Sequence, residues 1–241
     1  MDERLIDEMP NQVIGEKYAS AISDFSDCLP VALWPSPRGE DLDILLERFD
    51  GFVFPGSISN VDPDRYDGAE RQPPFDLRRD EFALSLARAV VSRRCPALFI
   101  CRGYQELNVA LGGSLRTQLE KRDSTVAHHS EEGVAMDVRY APLHEVTLAD
   151  WSALRSIFGT TRFGVNSLHY QGLERVADAL VVHGTADDGL PELVAVADHP
   201  FAVGVQWHPE YKPEKSAPNR ALLEAFGRAV RGELNLQDKR I

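Results

Sequence analysis

The first hundred residues alternate between apolar positions at helical spacing and short apolar runs. Tyr18, Ala21 and Ile22 lie on one face of a predicted helix over residues 16–27, because they recur at the i, i+3, i+4 spacing. Further helices are predicted around residues 42–49 and over 80–94, and buried strands at 29–34, 51–54 and 96–100. This alternation is typical of βαβ units, so we expect an α/β fold with a mostly parallel central sheet and helices on both faces.

The second half of the chain changes character. Strands are predicted at residues 144–148, 179–185, 193–197 and 202–206, with few helices between them. We expect them to extend the sheet as antiparallel additions. A closing helix is predicted around Leu222 and Phe226, which lie on one apolar face. No internal repeat, low-complexity tract or linker interrupts the chain, so we predict a single domain over residues 1–241.

Charge and cysteine content restrict the class of protein. The formal net charge of −12 argues against nucleic acid and anionic membranes as partners. No apolar run approaches the ~20 residues that span a bilayer, and the acidic first eight residues lack the core of a signal peptide. Three cysteines without a CxxC pair indicate a reducing compartment. We therefore expect a cytoplasmic protein, with Cys28 and Cys95 chemically inert.

Cys101 follows the apolar run 96–100 and precedes a predicted helix over residues 105–111. It therefore lies on a sharp strand-to-helix turn, where α/β hydrolytic enzymes hold a nucleophile. Free N–H groups at the helix start favour a thiolate there, and Gly103 allows the backbone to turn tightly. The alternative is a buried cysteine that acts as a small hydrophobic residue. This stretch alone leaves both interpretations open.

A candidate base stands near the end of the last predicted strand. His208 follows residues 202–206, and Glu210 lies two residues further on, where its carboxylate can orient the imidazole. The alternatives are a hydrogen-bonded structural histidine and a solvated acid. The neighbouring pair His128 and His129 has no third ligand at a useful spacing, so we predict no metal site.

Five segments together resemble the gamma-glutamyl-gamma-aminobutyrate hydrolase family of the class I glutamine amidotransferase-like superfamily. They are CRGYQ (101–105) and GVQWHPE (204–210) for the superfamily, and PGSISNVDP (55–63), CRGYQELNVALGGSL (101–115) and VNSLHYQG (165–172) for the family. The resemblance runs from about residue 16 to about residue 226. It implies a flavodoxin-like fold and a cysteine hydrolase that needs no cofactor.

The resemblance also implies roles for individual residues. Cys101 becomes the nucleophile, His208 the general base and then acid, and Glu210 its orienter. The backbone N–H groups of Gly56 and Arg102 become the oxyanion hole. The glutamyl end of the substrate is then held by Gln105, Asn166, Ser167, Leu168 and His169. Without the resemblance, Gln105 is an exposed helix residue and the segment 166–169 an ordinary polar turn.

Two features depart from the family pattern. Phe99 stands two positions before the nucleophile, where the family usually has a small residue. The family also begins with a strand that this chain lacks, so we expect residues 1–12 to be the remnant of the following loop. The long loop over residues 58–76 is expected to reach the amine side of the pocket through Asp62, Pro63 and Tyr66.

The leading functional hypothesis is cleavage of gamma-glutamyl amine conjugates to glutamate and free amine through a thioester. The substrate is then a small molecule, and a homodimer is the default assembly. A second hypothesis is a glutaminase subunit that supplies ammonia to a separate synthase. A third is a non-catalytic, truncated relative.

Overall fold

A mixed central sheet with flanking helices forms the body of the protein. The computed structural model describes residues 2–35, 41–119 and 126–239. Its strands are β1 (Asp2–Ile6), β2 (Met9–Val13), β3 (Phe52–Phe54), β4 (Ala97–Ile100), β5 (Leu115–Arg116), β6 (His144–Leu148), β7 (Arg162–Val165), β8 (Gly172–Leu173), β9 (Leu180–Ala186), β10 (Pro191–Val196) and β11 (Ala202–Val205). Its α-helices are α1 (Glu16–Ser26), α2 (Asp41–Arg48), α3 (Leu77–Ser92), α4 (Arg102–Ala110), α5 (Met136–Arg139), α6 (Arg155–Phe158) and α7 (Ala217–Val230).

Seven strands form the main sheet in the order β3-β4-β11-β10-β9-β6-β7. The first three are parallel, with β4 between β3 and β11. The remaining pairs are antiparallel. The predicted α/β class and the antiparallel additions from the second half of the chain are therefore confirmed. Helix α4 begins at Arg102, three residues earlier than predicted, because the chain turns at Cys101 itself.

Two apolar clusters cover the two faces of the sheet. On one face, α1 and α7 pack together and bury residues such as Ile22 and Phe226 against β11. On the other face, α3 and α4 pack together and bury residues such as Leu84 and Leu107. Strand β4 is buried on both faces, which explains why its sequence is a continuous apolar run. None of the described helices is long and apolar enough to cross a membrane.

The strand predicted over residues 29–34 is wrong. This segment has no regular structure, and Leu29 is 89% exposed. Strand β3 forms the edge of the sheet, and an apolar cavity of about 880 Å³ lies between it and the segment. Leu33 and Phe52 both line that cavity. With no strand beside β3 among the described residues, the segment lacks the backbone partners that a strand requires.

The sequence suggested that residues 1–12 are the remnant of a loop, but the structure has two strands in this part of the chain. They form a separate antiparallel hairpin of β1 and β2. Leu5, Ile6 and Met9 on this hairpin are exposed. The hairpin does not join the main sheet, so the edge position beside β3 is not filled by it.

Phe99 fits the fold without disturbing the turn that follows it. Its ring is fully buried and stacks on Phe54 of the neighbouring strand, with ring centroids 4.4 Å apart. The two residues are direct partners in the parallel register. A tight contact instead occurs at Gly103, where an added Cβ would lie 2.2 Å from the carbonyl oxygen of Phe54. The turn at Cys101 therefore requires a small residue at position 103.

We predict that Phe99→Ala lowers the free energy of unfolding by about 3–5 kcal/mol, because it leaves a cavity beside Phe54 in a fully packed layer. Chemical denaturation followed by far-UV circular dichroism measures this. The control is Ile44→Ala, since Ile44 is 57% exposed on α2, and its stability is expected to stay near that of the wild type. Equal stability of the two variants contradicts the packing role of Phe99.

Candidate active site

Cys101 lies in a sharp turn and has an uncommon backbone conformation. Its φ of 52° and ψ of −104° lie outside the regions that L-residues prefer. The Cys101 N–H donates to the carbonyl of Val205 at 2.8 Å, which ties the turn to the end of β11. The next residue, Arg102, opens α4, and amides in a first helical turn have no partner inside the helix. The turn thus presents a thiol beside an N–H group available to a ligand.

His208 and Glu210 form a buried pair at the end of the neighbouring strand β11. Glu210 Oε1 lies 2.7 Å from His208 Nδ1. The same oxygen accepts a hydrogen bond from Lys17 Nζ at 2.6 Å. His208 is 6% exposed and Glu210 2% exposed. The hydrogen bond at Nδ1 leaves Nε2 as the nitrogen available for proton transfer.

The protonation states of this pair follow from its charges. Burial lowers the pKa of His208, but the Glu210 carboxylate and the Cys101 sulfur outweigh burial and raise the pKa to about 10. Burial raises the pKa of Glu210, but His208 and Lys17 outweigh it and lower the pKa to about 2. The resting pair is therefore an imidazolium and a carboxylate.

Asn166 fixes the backbone of His208. Its Oδ1 accepts from the His208 N–H at 2.8 Å, and its Nδ2 donates to the His208 carbonyl at 2.9 Å. Both groups are buried. The predicted role of Asn166 in binding substrate stays a prediction, and its side-chain contacts in the structure hold the His208 backbone.

Gly56 marks the point at which the candidate residues meet. A Cβ added there would lie 2.8 Å from His208 Cε1, 3.3 Å from Cys101 Cβ and 2.7 Å from Tyr18 Oη. The fold thus brings the end of β3, the Cys101 turn and the His208 segment into contact around one glycine. Any larger residue at position 56 would displace the imidazole or the thiol.

A buried network of charges lies directly behind this junction. Arg79 of α3 makes a two-point contact with Glu106 of α4, with Nε–Oε1 at 2.7 Å and Nη2–Oε2 at 3.1 Å. Arg79 also donates to the carbonyl oxygens of Pro55 and Gly56. The segment after β3 is therefore held by its carbonyls, which leaves the Gly56 N–H to face the other way.

The Arg102 side chain belongs to the same network. Its Nη2 contacts Asp80 at 2.5 Å, and its Nη1 lies 3.2 Å from Glu106. Burial raises the pKa of Asp80 to about 6, although Arg102 opposes the shift. Since the guanidinium faces Asp80 and Glu106, only the backbone of Arg102 remains available to a ligand in the cleft.

The other predicted binding residues contact protein groups through their side chains. Gln105 Nε2 donates to the Gln171 carbonyl at 2.9 Å, and Ser167 Oγ donates to the His128 carbonyl at 2.6 Å. His169 Nδ1 lies 2.9 Å from the Gln171 carbonyl. Leu168 is half-buried. The side-chain groups named here are therefore already engaged by the protein itself.

Sequence reasoning missed three residues around the pair. Lys17 and Tyr18 start α1, and Tyr18 Oη lies 3.5 Å from His208 Nδ1. Tyr140 accepts a hydrogen bond from Lys17 at 2.8 Å, and its ring packs edge-on against His208. No local motif marks them, because their contacts join α1, the end of α5 and the His208 segment, which are far apart in the chain. A lysine and a tyrosine in the first turn of an otherwise apolar helix face were the available signal.

Fold and site together define a class I glutamine amidotransferase-like α/β protein. The glutaminase domain of Trypanosoma brucei CTPS, solved with bound acivicin, has a similar structure with a TM-score of 0.62. The alignment covers 90% of this chain and 88% of that domain at 14% sequence identity. The profile of the Peptidase C26 family matches residues 2–210, and the chain belongs to this family.

Two curated relatives narrow the comparison. The chain is 41% identical over 218 residues to a gamma-glutamyl-gamma-aminobutyrate hydrolase of Escherichia coli O157:H7, covering 89% of this chain and 85% of that protein. It is 32% identical over 213 residues to a putative glutamine amidotransferase of Mycobacterium tuberculosis, covering 87% of this chain and 65% of that protein. The resemblance inferred from the sequence motifs is confirmed.

We predict that Glu210→Gln lowers the pKa of His208 from about 10 toward the ordinary value, because it removes the anion that stabilises the imidazolium. The titration of the His208 Cε1 proton by NMR measures this. Glu214→Gln is the control, since Glu214 is exposed and close in sequence. An unchanged titration in Glu210→Gln would show that the carboxylate does not set the charge of the imidazole.

Proposed function

We propose that this protein hydrolyses the gamma-glutamyl amide bond of gamma-glutamyl amine conjugates through a thioester intermediate. The proposal is carried by the convergence of Cys101 and His208 at Gly56, with Glu210 behind the imidazole. Thiol, base and orienting acid in this order form the arrangement used for nucleophilic catalysis.

Before substrate binds, His208 already holds the proton that the Cys101 thiol gives up, because its raised pKa favours the imidazolium. The thiolate attacks the gamma-carbonyl carbon, and the carbonyl oxygen becomes an oxyanion. The N–H groups of Gly56 and Arg102 are the proposed donors to that oxygen. Removal of one such donor in comparable sites costs about 10²–10³ in kcat. The buried charges on Arg79 and Glu106 hold both donors in place.

The imidazolium then donates its proton to the amine nitrogen, and the C–N bond breaks. The free amine leaves, and Cys101 remains as a thioester with the glutamyl group. His208 next accepts a proton from a water molecule, which attacks the thioester carbonyl. Glutamate leaves, and the proton taken from water stays on His208 beside the released sulfur, which restores the starting state; the reaction consumes one water and needs no cofactor.

The proposed substrates are conjugates such as gamma-glutamyl-aminobutyrate or gamma-glutamyl-polyamines. The name of the Escherichia coli O157:H7 relative supports the first of these. The net charge of −12 is compatible with cationic amines. The glutamyl end is assigned to Gln105, Leu168 and the backbone of residues 166–169, and the amine end to the side of the loop over 58–76.

A glutaminase that supplies ammonia to a separate synthase is the second candidate. Its support is the similarity to a CTPS glutaminase domain and to a putative glutamine amidotransferase. The two reactions share the acyl-enzyme and differ only in the leaving amine. A non-catalytic role is disfavoured by the hydrogen-bonded and buried pair of His208 and Glu210 beside Cys101.

The function is tested by measuring glutamate release from gamma-glutamyl-aminobutyrate, a gamma-glutamyl-polyamine and glutamine. We expect release from the conjugates, reduced about 10⁴–10⁶-fold in Cys101→Ala. Cys95→Ala is the matched control, because Cys95 lies on the strand entry away from the site, and it should retain activity. Release from glutamine alone would overturn the proposal in favour of a glutaminase, and no release from any substrate by folded protein would favour a non-catalytic role.

We predict that Gly56→Ala reduces kcat at least 10-fold (about 1.4 kcal/mol in the barrier), because the added methyl group collides with His208 and Tyr18. Steady-state kinetics with a gamma-glutamyl amine measures this, and the melting temperature reports on folding. The control is Gly15→Ala, where an added Cβ meets its nearest atoms only at 3.6 Å or more. Full activity of Gly56→Ala would show that the imidazole does not occupy this position during catalysis.

A further inference from the structure

A second cluster of titratable side chains is buried away from Cys101. His128, His144 and His169 each direct one ring nitrogen toward Oε1 of Glu192. The distances to that oxygen are 3.6 Å from His128 Nδ1, 3.4 Å from His144 Nε2 and 3.5 Å from His169 Nε2. The ligand atoms of His128, His144 and Glu192 all lie within 4.8 Å of one another. None of these side chains takes part in the proposed reaction.

The hydrogen bonds on the far side of each ring identify which nitrogen carries the proton. His144 Nδ1 lies 3.0 Å from the Ala127 carbonyl and His169 Nδ1 lies 2.9 Å from the Gln171 carbonyl. A carbonyl oxygen only accepts, so each Nδ1 is the donor. In the neutral rings, the Nε2 lone pairs therefore point at the Glu192 carboxylate, which is also an acceptor. Acceptors facing acceptors repel unless a cation lies between them.

The inward-facing atoms have no hydrogen-bond partner within the described residues. They are His128 Nδ1, His144 Nε2, His169 Nε2 and both carboxylate oxygens of Glu192. Glu192 is fully buried. A buried carboxylate without a hydrogen bond is costly, so the cluster calls for a positive charge at its centre.

We propose that this cluster is a binding site for one divalent transition-metal ion of the Zn²⁺ type, with His128, His144 and Glu192 as its protein ligands and His169 beside them. Zn–N and Zn–O bonds of about 2.0–2.2 Å in a tetrahedron place neighbouring ligand atoms roughly 3.3–3.6 Å apart. The distances from Glu192 Oε1 to His128 Nδ1 and His144 Nε2 match this spacing. Imidazole and carboxylate also suit zinc better than softer or harder ions.

Contacts behind the ligands resemble those of known metal centres. His128 Nε2 lies 2.8 Å from Asp188 Oδ2. A carboxylate behind a metal-bound imidazole fixes its orientation and raises its basicity. The backbone carbonyls serve His144 and His169 in the same way. The prediction of no metal site rested on the absence of ligands close to His128 in sequence, whereas the neighbouring side chains come from β6, β10 and the segment after β7.

Three protein ligands leave the fourth position of a tetrahedral ion to water or to the adjacent His169. The ion joins the segment around residue 128 to two strands, next to the loop that contains Asn166. That loop holds His208 through Asn166, and Glu192 accepts a backbone hydrogen bond from Gln206 at 2.9 Å. The ion therefore stabilises the half of the cleft that carries the base.

The test measures zinc binding in Cys101→Ala, which removes the active-site thiol as a competing ligand. The chelator-treated protein is titrated with Zn²⁺ against a chromophoric chelator, and Co²⁺ substitution reports coordination number through its absorption spectrum. We expect one ion per chain, a four-coordinate cobalt spectrum and a higher melting temperature with Zn²⁺. Absence of stoichiometric binding, or an octahedral cobalt spectrum, overturns the proposal and leaves a network of protonated histidines.

Two sets of variants locate the ion. His128→Asn and His144→Gln should abolish tight binding, whereas the neighbouring His129→Asn should not, because His129 stacks on Tyr170 with ring centroids 3.9 Å apart and does not face the cluster. Asp188→Asn keeps the ligands and should weaken binding about 10–100-fold. Because the titration of Cys101→Ala and that of Asp188→Asn do not remove a ligand, the proposal remains testable if the histidine variants fail to fold. Equal affinity in His128→Asn and His129→Asn contradicts it.

Discussion

The buried ion pairs of Arg79 and Arg102 with Glu106 and Asp80 are the constraint on which the cleft depends. Burying any one of these four charges alone would carry a large desolvation penalty. The four are tolerated together because each charge is paired with an opposite charge. The set spans α3, α4 and the segment after β3. The network therefore links α3, α4 and the segment after β3 to one another. The backbone N–H groups of Gly56 and Arg102 lie on two of these linked elements.

The two halves of the sheet contribute different parts of the site. The parallel strands β3 and β4 bring the glycine and the cysteine to one edge, as expected when ligands gather at the carboxyl ends of parallel strands. The His208 segment enters from β11, where the parallel and antiparallel parts meet. Asn166, which follows the edge strand β7, reaches across to hold it. The antiparallel half thus positions His208 rather than simply widening the sheet.

Local signals predicted the elements whose structure is decided locally or by burial on both faces. The apolar run before Cys101 and the periodic faces of α1, α3 and α7 are of this kind. Residues 29–34 were mistaken for a strand because their sequence suits one while the neighbour it needs is missing. Lys17, Tyr140 and the partners of Asn166 could not be predicted, since each contact joins segments separated by long stretches of chain. The contact between His128 and Glu192 could not be predicted for the same reason.

The left-handed backbone at Cys101 has a consequence for how this chain tolerates change. A non-glycine residue in a sparsely populated conformation costs about 1–3 kcal/mol, a large share of the few kcal/mol by which domains are stable. Selection for heat resistance alone would therefore favour glycine at position 101 and discard the thiol. If Cys101 is the proposed nucleophile, selection on turnover keeps the cysteine, and stability and reactivity are in direct competition at a single residue.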